Sequence, residues 1–260
     1  MSNEEYMRKI AIINQKGGSG KTTTTVNLAA ALAQKKRKVL VIDLDPQAST
    51  SQWFGITTVE KGLLSVFTEN TPLTSVITGT TTLGVDVIPS SSWLYGLEKT
   101  LANEVGAEIL LKQKIQELDQ ARWDYILIDC SPTLGILTIN ALTACEEVIV
   151  PVEARIMAVA GLVQLLQTVD VVRHRLNGTL KISGILPCRV DIRTRHAKEV
   201  VEELRKNFSG LVYKTAIREN IRLAEAPSFQ KPITEYDAQS NGAIDYRDLA
   251  KEVIRQESAQ

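Results

Sequence analysis

An α/β fold, with a mostly parallel twisted sheet and helices on both faces, is predicted by three observations. Apolar runs of strand length alternate with stretches of helical periodicity along most of the 260 residues, which is the order that builds a parallel sheet through crossover helices. Several of those runs are apolar nearly throughout, among them Lys38-Val39-Leu40-Val41-Ile42 and Asp124-Tyr125-Ile126-Leu127-Ile128-Asp129, as strands covered on both faces are. The first run, Ile10-Ala11-Ile12-Ile13, leads into Lys16-Gly17-Gly18-Ser19-Gly20-Lys21-Thr22-Thr23 and then Val26-Asn27-Leu28-Ala29-Ala30-Ala31-Leu32. Strand, glycine-rich loop and helix in that order are the context of a phosphate-binding loop.

The remaining elements follow in chain order. Residues 1–9 are polar and lack the apolar core of a signal peptide. After the first helix, the strand at 38–42 ends in Asp43-Leu44-Asp45-Pro46-Gln47. Residues 49–62 are small, polar and turn-rich, and read as a mobile connector; 63–67 read as a short helix. A strand at 83–89 ends at proline. The apolar spacing of 94–118 predicts one or two helices, with Gly96 and Gly106 as weak points. The strand at 124–129 precedes a helix at 132–144 and another buried strand at 147–152. A long amphipathic helix at 156–176 stops near Asn177-Gly178. A strand at 182–187, a helix at 194–208, a short edge strand at 211–215, a short helix or loop at 218–226 and a closing helix at 244–254 complete the chain. Residues 1–260 read as a single domain, with about 1–8 and 256–260 expected to be disordered tails. That length suffices for one large core.

Bulk composition narrows the classes. Formal net charge is zero, so any nucleic-acid contact has to come from a local basic patch. Cys130, Cys145 and Cys188 are widely spaced, with no Cys-x-x-Cys pair and no histidine at ligand spacing, and read as reduced core thiols of a cytosolic protein. No apolar run approaches the roughly 20 residues that span a bilayer.

The glycine-rich loop carries the first chemistry. Gly17, Gly18 and Gly20, with Ser19 between them, let the backbone wrap closely and aim its N–H groups inward. The helix N-terminus adds partial positive charge at the same point. Lys21 supplies a full charge for the β- and γ-phosphates, and the Thr22 hydroxyl is placed for Mg²⁺. An ordinary glycine turn is the plain alternative, and the Gly-Lys-Thr ending with both flanks in place argues against it. Asp43 and Asp45 follow the second strand's apolar run, and in open α/β sheets the strand C-termini carry the chemistry, so this acidic pair falls beside the phosphate loop; a polar turn is the alternative reading. Asp129 closes an apolar strand, the Walker B pattern. Guanine-specific P-loop proteins usually carry Asn-Lys-x-Asp, and this chain has no Asn-Lys pair, which favours ATP.

Gln15-Lys16-Gly17-Gly18-Ser19-Gly20-Lys21-Thr22 resembles the deviant Walker A motif of the ParA/MinD family of P-loop ATPases. The resemblance implies that Lys16 reaches across a dimer to the partner's nucleotide, as an arginine finger does in trans. It assigns Asp45 to positioning the attacking water, Asp43 and Asp129 to the Mg²⁺ environment through water, and Thr23 to the α-phosphate. It places base contacts around Cys188-Arg189 and Ile217-Arg218, although the family commonly has Pro-Arg where Arg218-Glu219 stands. Arginines on a rim are usually solvated, and Asp191 and Glu219 interrupt these. Yet Asp191-Ile192-Arg193-Thr194 and Asn220-Ile221-Arg222-Leu223-Ala224-Glu225-Ala226-Pro227-Ser228 look like ParA segments whose arginines bind DNA without sequence preference. Arg193 and Arg222 are the matching positions.

The resemblance runs from Ile10 to about Ile254. It is to the short, chromosomal Soj-like type, since the P-loop strand starts within ten residues of the N-terminus. It implies an ATP-dependent homodimer, slow Mg²⁺-dependent ATP hydrolysis, nonspecific double-stranded DNA as a partner and a ParB-like stimulator. The implied setting is cytoplasmic and nucleoid-associated, without a membrane, and the implied role is partitioning a DNA cargo. A related ATPase positioning another cargo, such as a carboxysome or a chemoreceptor array, shares every motif. A MinD-like membrane switch needs a basic, bulky apolar terminal helix, and residues 248–257 are mixed in charge without aromatics. A nitrogenase-type iron protein needs cluster-bridging cysteines, a context Cys130 and Cys145 do not match.

Overall fold

The computed structural model describes residues 7–59, 62–101, 104–119, 121–155 and 158–259. The strands are β1 (Arg8–Ile12), β2 (Val39–Asp43), β3 (Thr78–Gly79), β4 (Val85–Ile88), β5 (Tyr125–Asp129), β6 (Glu147–Glu153) and β7 (Lys181–Cys188). The α-helices are α1 (Lys21–Gln34), α2 (Ser49–Trp53), α3 (Leu63–Thr68), α4 (Leu94–Leu101), α5 (Leu110–Gln116), α6 (Ile136–Ala144), α7 (Ala158–Arg175), α8 (Arg195–Asn207), α9 (Ile221–Glu225), α10 (Ile233–Tyr236) and α11 (Asn241–Arg255).

Among the described residues the strands form one sheet in the order β3-β4-β2-β5-β1-β6-β7. Every pairing is parallel except that of β3 with β4. Both faces are covered, which is why β2, β5 and β6 are buried at every position. On one face α5, α6 and α7 pack over Ala11, Ile42, Ile126, Ile128 and Val148; on the other, α1 and α11 pack over Ile10, Ile12, Val41, Leu127 and Ile149. Alternate residues of each strand therefore feed two separate cores. The chain leaves β1 for β2 on one side and reaches β6 on the other. This reversal opens a crevice at the strand C-termini, where open α/β sheets bind ligands.

Several elements differ from expectation. The stretch at 49–62 is not a free connector at its start: Ser49–Trp53 is a helical turn with Thr50, Ser51 and Trp53 buried. Five residues are too few for a periodic signal, and the turn is held by buried carboxylates from other strands. Residues 94–118 form two helices, α4 and α5, as expected, with Gly106 in the turn between them at φ 79°; only Gly96 differs, since it sits inside α4 without breaking it. No strand forms at 211–215. Only Val212 bridges Ile185, and the Lys214 and Thr215 amides donate to the Glu252 carboxylate at 3.0 and 2.7 Å instead of to a neighbouring strand.

The expected disordered ends are corrected as well. Met7 is buried and Arg8 belongs to β1. Arg8 donates to Glu147 from Nε at 2.8 Å and Nη2 at 2.7 Å, and to the Val253 carbonyl at 2.6 Å. Gln256–Ala259 forms a 3-10 turn, pinned where Arg37 and Tyr125 both donate to Glu257. Residues 1–6 and 260 of those tails, and residue 156 where the long helix was expected to begin, lie outside the described residues.

Candidate nucleotide-binding site

The loop between β1 and α1 is shaped by its glycines. Gly18 and Gly20 have φ 74° and 99°, the left-handed region that side chains avoid. A Cβ on Gly20 would lie 3.5 Å from Cys188 Sγ, so the loop rests on the buried end of β7. Asn14 fastens the entry: its Nδ2 donates to the Pro151 carbonyl of β6 at 2.6 Å, and its Oδ1 accepts the Lys16 amide at 2.9 Å. Thr24 N–H donates to the Gly20 carbonyl at 2.8 Å, starting α1 at once.

The two lysines of this loop have opposite surroundings. Lys21 is 7% exposed. Burial lowers its pKa, while the Asp129 and Asp45 charges oppose that shift. The Lys16 side chain is 52% exposed, and its Nζ lies 2.9 Å from Glu153 Oε2 at the end of β6. Glu153 also meets Arg155 Nε at 2.9 Å and Arg189 Nη1 at 3.2 Å. Burial raises the Glu153 pKa, but the Lys16 hydrogen bond and these three cations outweigh it and hold the carboxyl below its ordinary value. Glu153, Arg155 and Asn14 were not singled out from sequence, because their partner is 137 positions away for both Asn14 and Glu153.

Asp43 and Asp129 stand side by side, paired in register between β2 and β5. Asp43 is saturated: its Oδ2 accepts the Ser51 amide at 2.8 Å and hydroxyl at 2.7 Å, and its Oδ1 accepts the Asp45 amide at 3.1 Å. It thus fixes the loop carrying Asp45. Asp129 Oδ2 accepts the hydroxyls of Thr22 at 2.8 Å and Thr50 at 2.7 Å, while its Oδ1 is buried with no hydrogen-bond partner. Burial raises both carboxyls, and the Asp129 charge raises Asp43 further. Thr50 and Ser51 are partners of these carboxylates that sequence reasoning missed; the hydroxyl run Ser49-Thr50-Ser51 shortly after Asp-Pro-Gln was the available signal. Ser90 extends the network, its amide donating to Ser51 Oγ at 2.9 Å and its hydroxyl to the Asp45 carbonyl at 2.7 Å.

These oxygens fit a hard divalent cation. An unpartnered Asp129 oxygen lies on the carboxylate that already holds the Thr22 hydroxyl. Among the described residues no cluster of three or more His, Cys, Asp or Glu could hold a metal by itself. An ion here draws its other ligands from phosphate and water, the habit of Mg²⁺.

A cleft of about 1050 Å³ opens from this centre. Gly17, Gly18, Gly20, Lys21, Thr22, Thr23 and Asp45 line its inner end. Cys188, Arg189, Ile217 and Arg218 line its outer part, as do Arg193 and Arg222. Lys16, Ser19, Asp43 and Asp129 stand behind or beside that wall. The two outer loops are joined by backbone bonds, Val190 N–H to the Ile217 carbonyl at 3.0 Å and Glu219 N–H to the Val190 carbonyl at 3.1 Å. Arg218 is turned away into α11, where its Nη2 meets Asp245 Oδ1 at 2.6 Å. The rim arginines are paired too. Arg193 makes a two-point contact with Asp191 at 2.8 and 2.9 Å and holds that carboxyl down at about 2. Arg222 meets Glu225 at 3.1 Å and Asp237 at 3.7 Å.

Comparison with known proteins places this geometry. A family model described as an AAA domain matches residues 7–182. The sporulation initiation inhibitor protein Soj of Bacillus subtilis is 46% identical over 94% of this chain and 97% of its own. The chromosome partitioning protein ParA of Myxococcus xanthus is 40% identical over 96% and 89%. The chain belongs to the ParA/Soj family of P-loop ATPases. A ParA/Soj-type sheet is also seen in a solved structure described as cobyrinic acid a,c-diamide synthase from Mycobacterium smegmatis, with bound ADP and magnesium. It is 32% identical, covers 98% of this chain and 97% of its own, and has a TM-score of 0.86. The same protein has also been solved with an ATP analogue and magnesium. Among the described residues of this ParA/Soj member, no helix is long and apolar enough to cross a membrane. Its three cysteines are buried and free.

Proposed function

We propose that this protein is an ATP-dependent dimerising switch that binds DNA without sequence preference and hydrolyses ATP slowly to partition a DNA cargo. The observation that carries the reading is the contrast between the two lysines of one loop. Lys21 is buried against Asp129 and Asp45, where it serves its own protomer's β- and γ-phosphates. Lys16 is half exposed and, among the described residues, held by Glu153 alone, free to exchange that carboxylate for a phosphate on a second copy.

In this reading Gly17 to Thr23 cradle the triphosphate, with Thr23 at the α-phosphate. Thr22 and Asp129 would hold Mg²⁺, the aspartate through water, and Asp43 would add charge nearby while fixing the Asp45 loop. Bound there, Mg²⁺ supplies electrostatic neutralisation of the phosphoryl oxygens. Asp45 orients the attacking water, its amide tied to Asp43 and its carbonyl to Ser90. Lys16 from the partner completes the charge stabilisation, as fingers in trans do. The base lies between the 188–189 and 217–218 loops.

DNA phosphates engage Arg193 and Arg222, displacing Asp191, Glu225 and Asp237. These ion pairs are exposed, with side chains of Arg193 and Arg222 83% and 58% accessible, and exposed pairs hold weakly. Pairing two protomers doubles the contacts, so ATP controls affinity without building a new surface. A ParB-like partner at the cargo then stimulates hydrolysis and releases the dimer from the nucleoid in the cytoplasm.

The test is Lys16→Ala with Mg²⁺-ATP and duplex DNA. The variant should bind a fluorescent ATP analogue normally and lose dimerisation-dependent hydrolysis. Wild-type turnover in Lys16→Ala would rule out the role in trans.

A further inference from the structure

The cations at the two ends of α1 have different surroundings. Those on the cleft rim are all engaged: Arg189, Arg193, Arg218 and Arg222 each face a carboxylate. At the opposite end of α1 stand cations that do not. The run Lys35-Lys36-Arg37-Lys38 closes α1. Lys35, Lys36 and Lys38 are exposed and make no ion pair among the described residues. Two arginines of α11 join them. Arg247 reaches the last residue of α1, its Nε 3.0 Å from Gln34 Oε1, and donates to the Ala238 carbonyl at 2.6 Å. Arg255 ends α11, two residues before Glu257. The carboxylates around this group are already used. Glu257 takes Arg37 and Tyr125, Asp248 takes Lys251, and Asp124 accepts the Lys38 amide at 2.6 Å.

Cations gather at helix C-termini because the macrodipole favours them, and that alone would leave Lys36 unexplained. Lys36 has φ 64°. Its amide donates to the Ala33 carbonyl at 2.9 Å, and the Arg37 amide donates to the Leu32 carbonyl at 3.2 Å. This is the left-handed turn that ends a helix, where glycine is favoured. A lysine there is strained relative to glycine. The backbone at this position would be more stable with glycine than with lysine.

We propose that this end of the molecule is a second contact surface for duplex DNA, with Lys35, Lys36 and Lys38 beside Arg247 and Arg255 engaging the phosphate backbone. Phosphate contacts of this kind position a duplex and carry no sequence information. An anionic membrane is the less favoured polyanion. Leu83 is the exposed large apolar residue beside this turn, through Gly84, which packs on Ala33 and the Arg37 carbonyl. One leucine does not make the apolar helix face that interfacial insertion needs. The surface rests on the proposed DNA role only for the choice of duplex DNA as the polyanion. It lies at the end of α1 away from the phosphate loop. Because α1 has 14 residues, about 20 Å separates the two surfaces. One protomer can then hold two duplex segments.

The test is the triple variant Lys35→Gln/Lys36→Gly/Lys38→Gln, titrated against a random-sequence fluorescent duplex at several salt concentrations. Binding with Mg²⁺-ATP at low salt should weaken at least tenfold. The slope of log affinity against log salt should shrink by about 2 to 3, since each lost phosphate contact removes about 0.9. The thermal midpoint should not fall, because Lys36→Gly relieves the left-handed turn. Unchanged affinity and slope would overturn the proposal, as would loss of binding to phosphatidylserine vesicles with DNA binding intact. The double variant Arg193→Glu/Arg222→Glu separates this surface from the rim. If the rim variant alone loses DNA, this proposal fails and the rim reading stands. If the lysine variant alone loses it, the rim reading fails and this one stands.

Discussion

Lys16 and Lys21 belong to one turn, yet one is mostly enclosed and the other half exposed, and their chemistry separates on that difference. A lysine held by a single carboxylate at a surface is exchangeable, whereas one enclosed beside two aspartates is not. Lys16→Ala should therefore leave nucleotide affinity within about threefold while lowering turnover by about 10³-fold or more, the scale of a charge supplied in trans; a fluorescent-nucleotide titration beside phosphate release reads both. Asp45→Ala should hydrolyse poorly and accumulate as an ATP-bound dimer, and a monomer by light scattering in saturating ATP would contradict it. The buried aspartates set a pH dependence. Burial and the Asp129 charge lift Asp43 to about 8, and burial lifts Asp129 in the same direction. Between about pH 4, where an unfolded carboxyl releases its proton, and about pH 8, the folded chain binds more protons than the unfolded one. The ligand-free protein should thus lose stability as pH rises through that window. Urea midpoints at pH 5 and pH 8 check the sign, and Mg²⁺ with nucleotide should oppose the trend by favouring the ionised pair.

At the scale of elements, short pieces matter more than their length suggests. The five-residue α2 places Thr50 and Ser51 on two different buried aspartates, so it couples β2 and β5 to the loop carrying Asp45. Ser51→Ala removes the hydroxyl's bond to Asp43 and the acceptor for the Ser90 amide, and should slow hydrolysis more than it weakens nucleotide binding, visible as a fall in kcat larger than the rise in KM. The 188–193 and 217–222 loops act as one unit through their backbone bonds, and each ends in an arginine on the rim. Arg193→Glu or Arg222→Glu should abolish ATP-dependent DNA retention at low salt while leaving the ATP-driven dimer intact by light scattering. Retention unchanged in both would move the interface off the rim.

At the scale of the molecule, the end of the sheet away from the cleft is closed by charge. Arg8, Glu147, Tyr125 and Glu257 join β1, β5 and β6 to the turn after α11. Removing one partner of a buried pair leaves the other uncompensated and costs about 3–5 kcal/mol. Glu147→Gln should lower unfolding stability by about that amount in urea, without changing the nucleotide affinity of the folded fraction. What was legible beforehand follows from how far each signal reaches along the chain. The parallel sheet could be read because strands covered on both faces must be apolar throughout. The loop could be read because its glycines, lysine and threonine sit within one turn of each other, and the family motif lies in the same stretch. The helical turn at 49–53, the bridge at 212 and the ordered ends could not, since each is held by groups far away in sequence, such as Glu252 for the amides of residues 214 and 215.

Taken alone, the order of residues determined the layering of the sheet, the place of the phosphate loop and the family, all of which depend on neighbours within a few positions. Only the tertiary structure decided which charges meet: Lys16 with Glu153, Arg8 with Glu147, the rim arginines with their carboxylates, and the lysines at the end of α1 with none among the described residues. The reason is physical. A side chain's propensity is local, but its ion pair depends on which strands the sheet brings side by side, and that follows from burying two apolar faces at once.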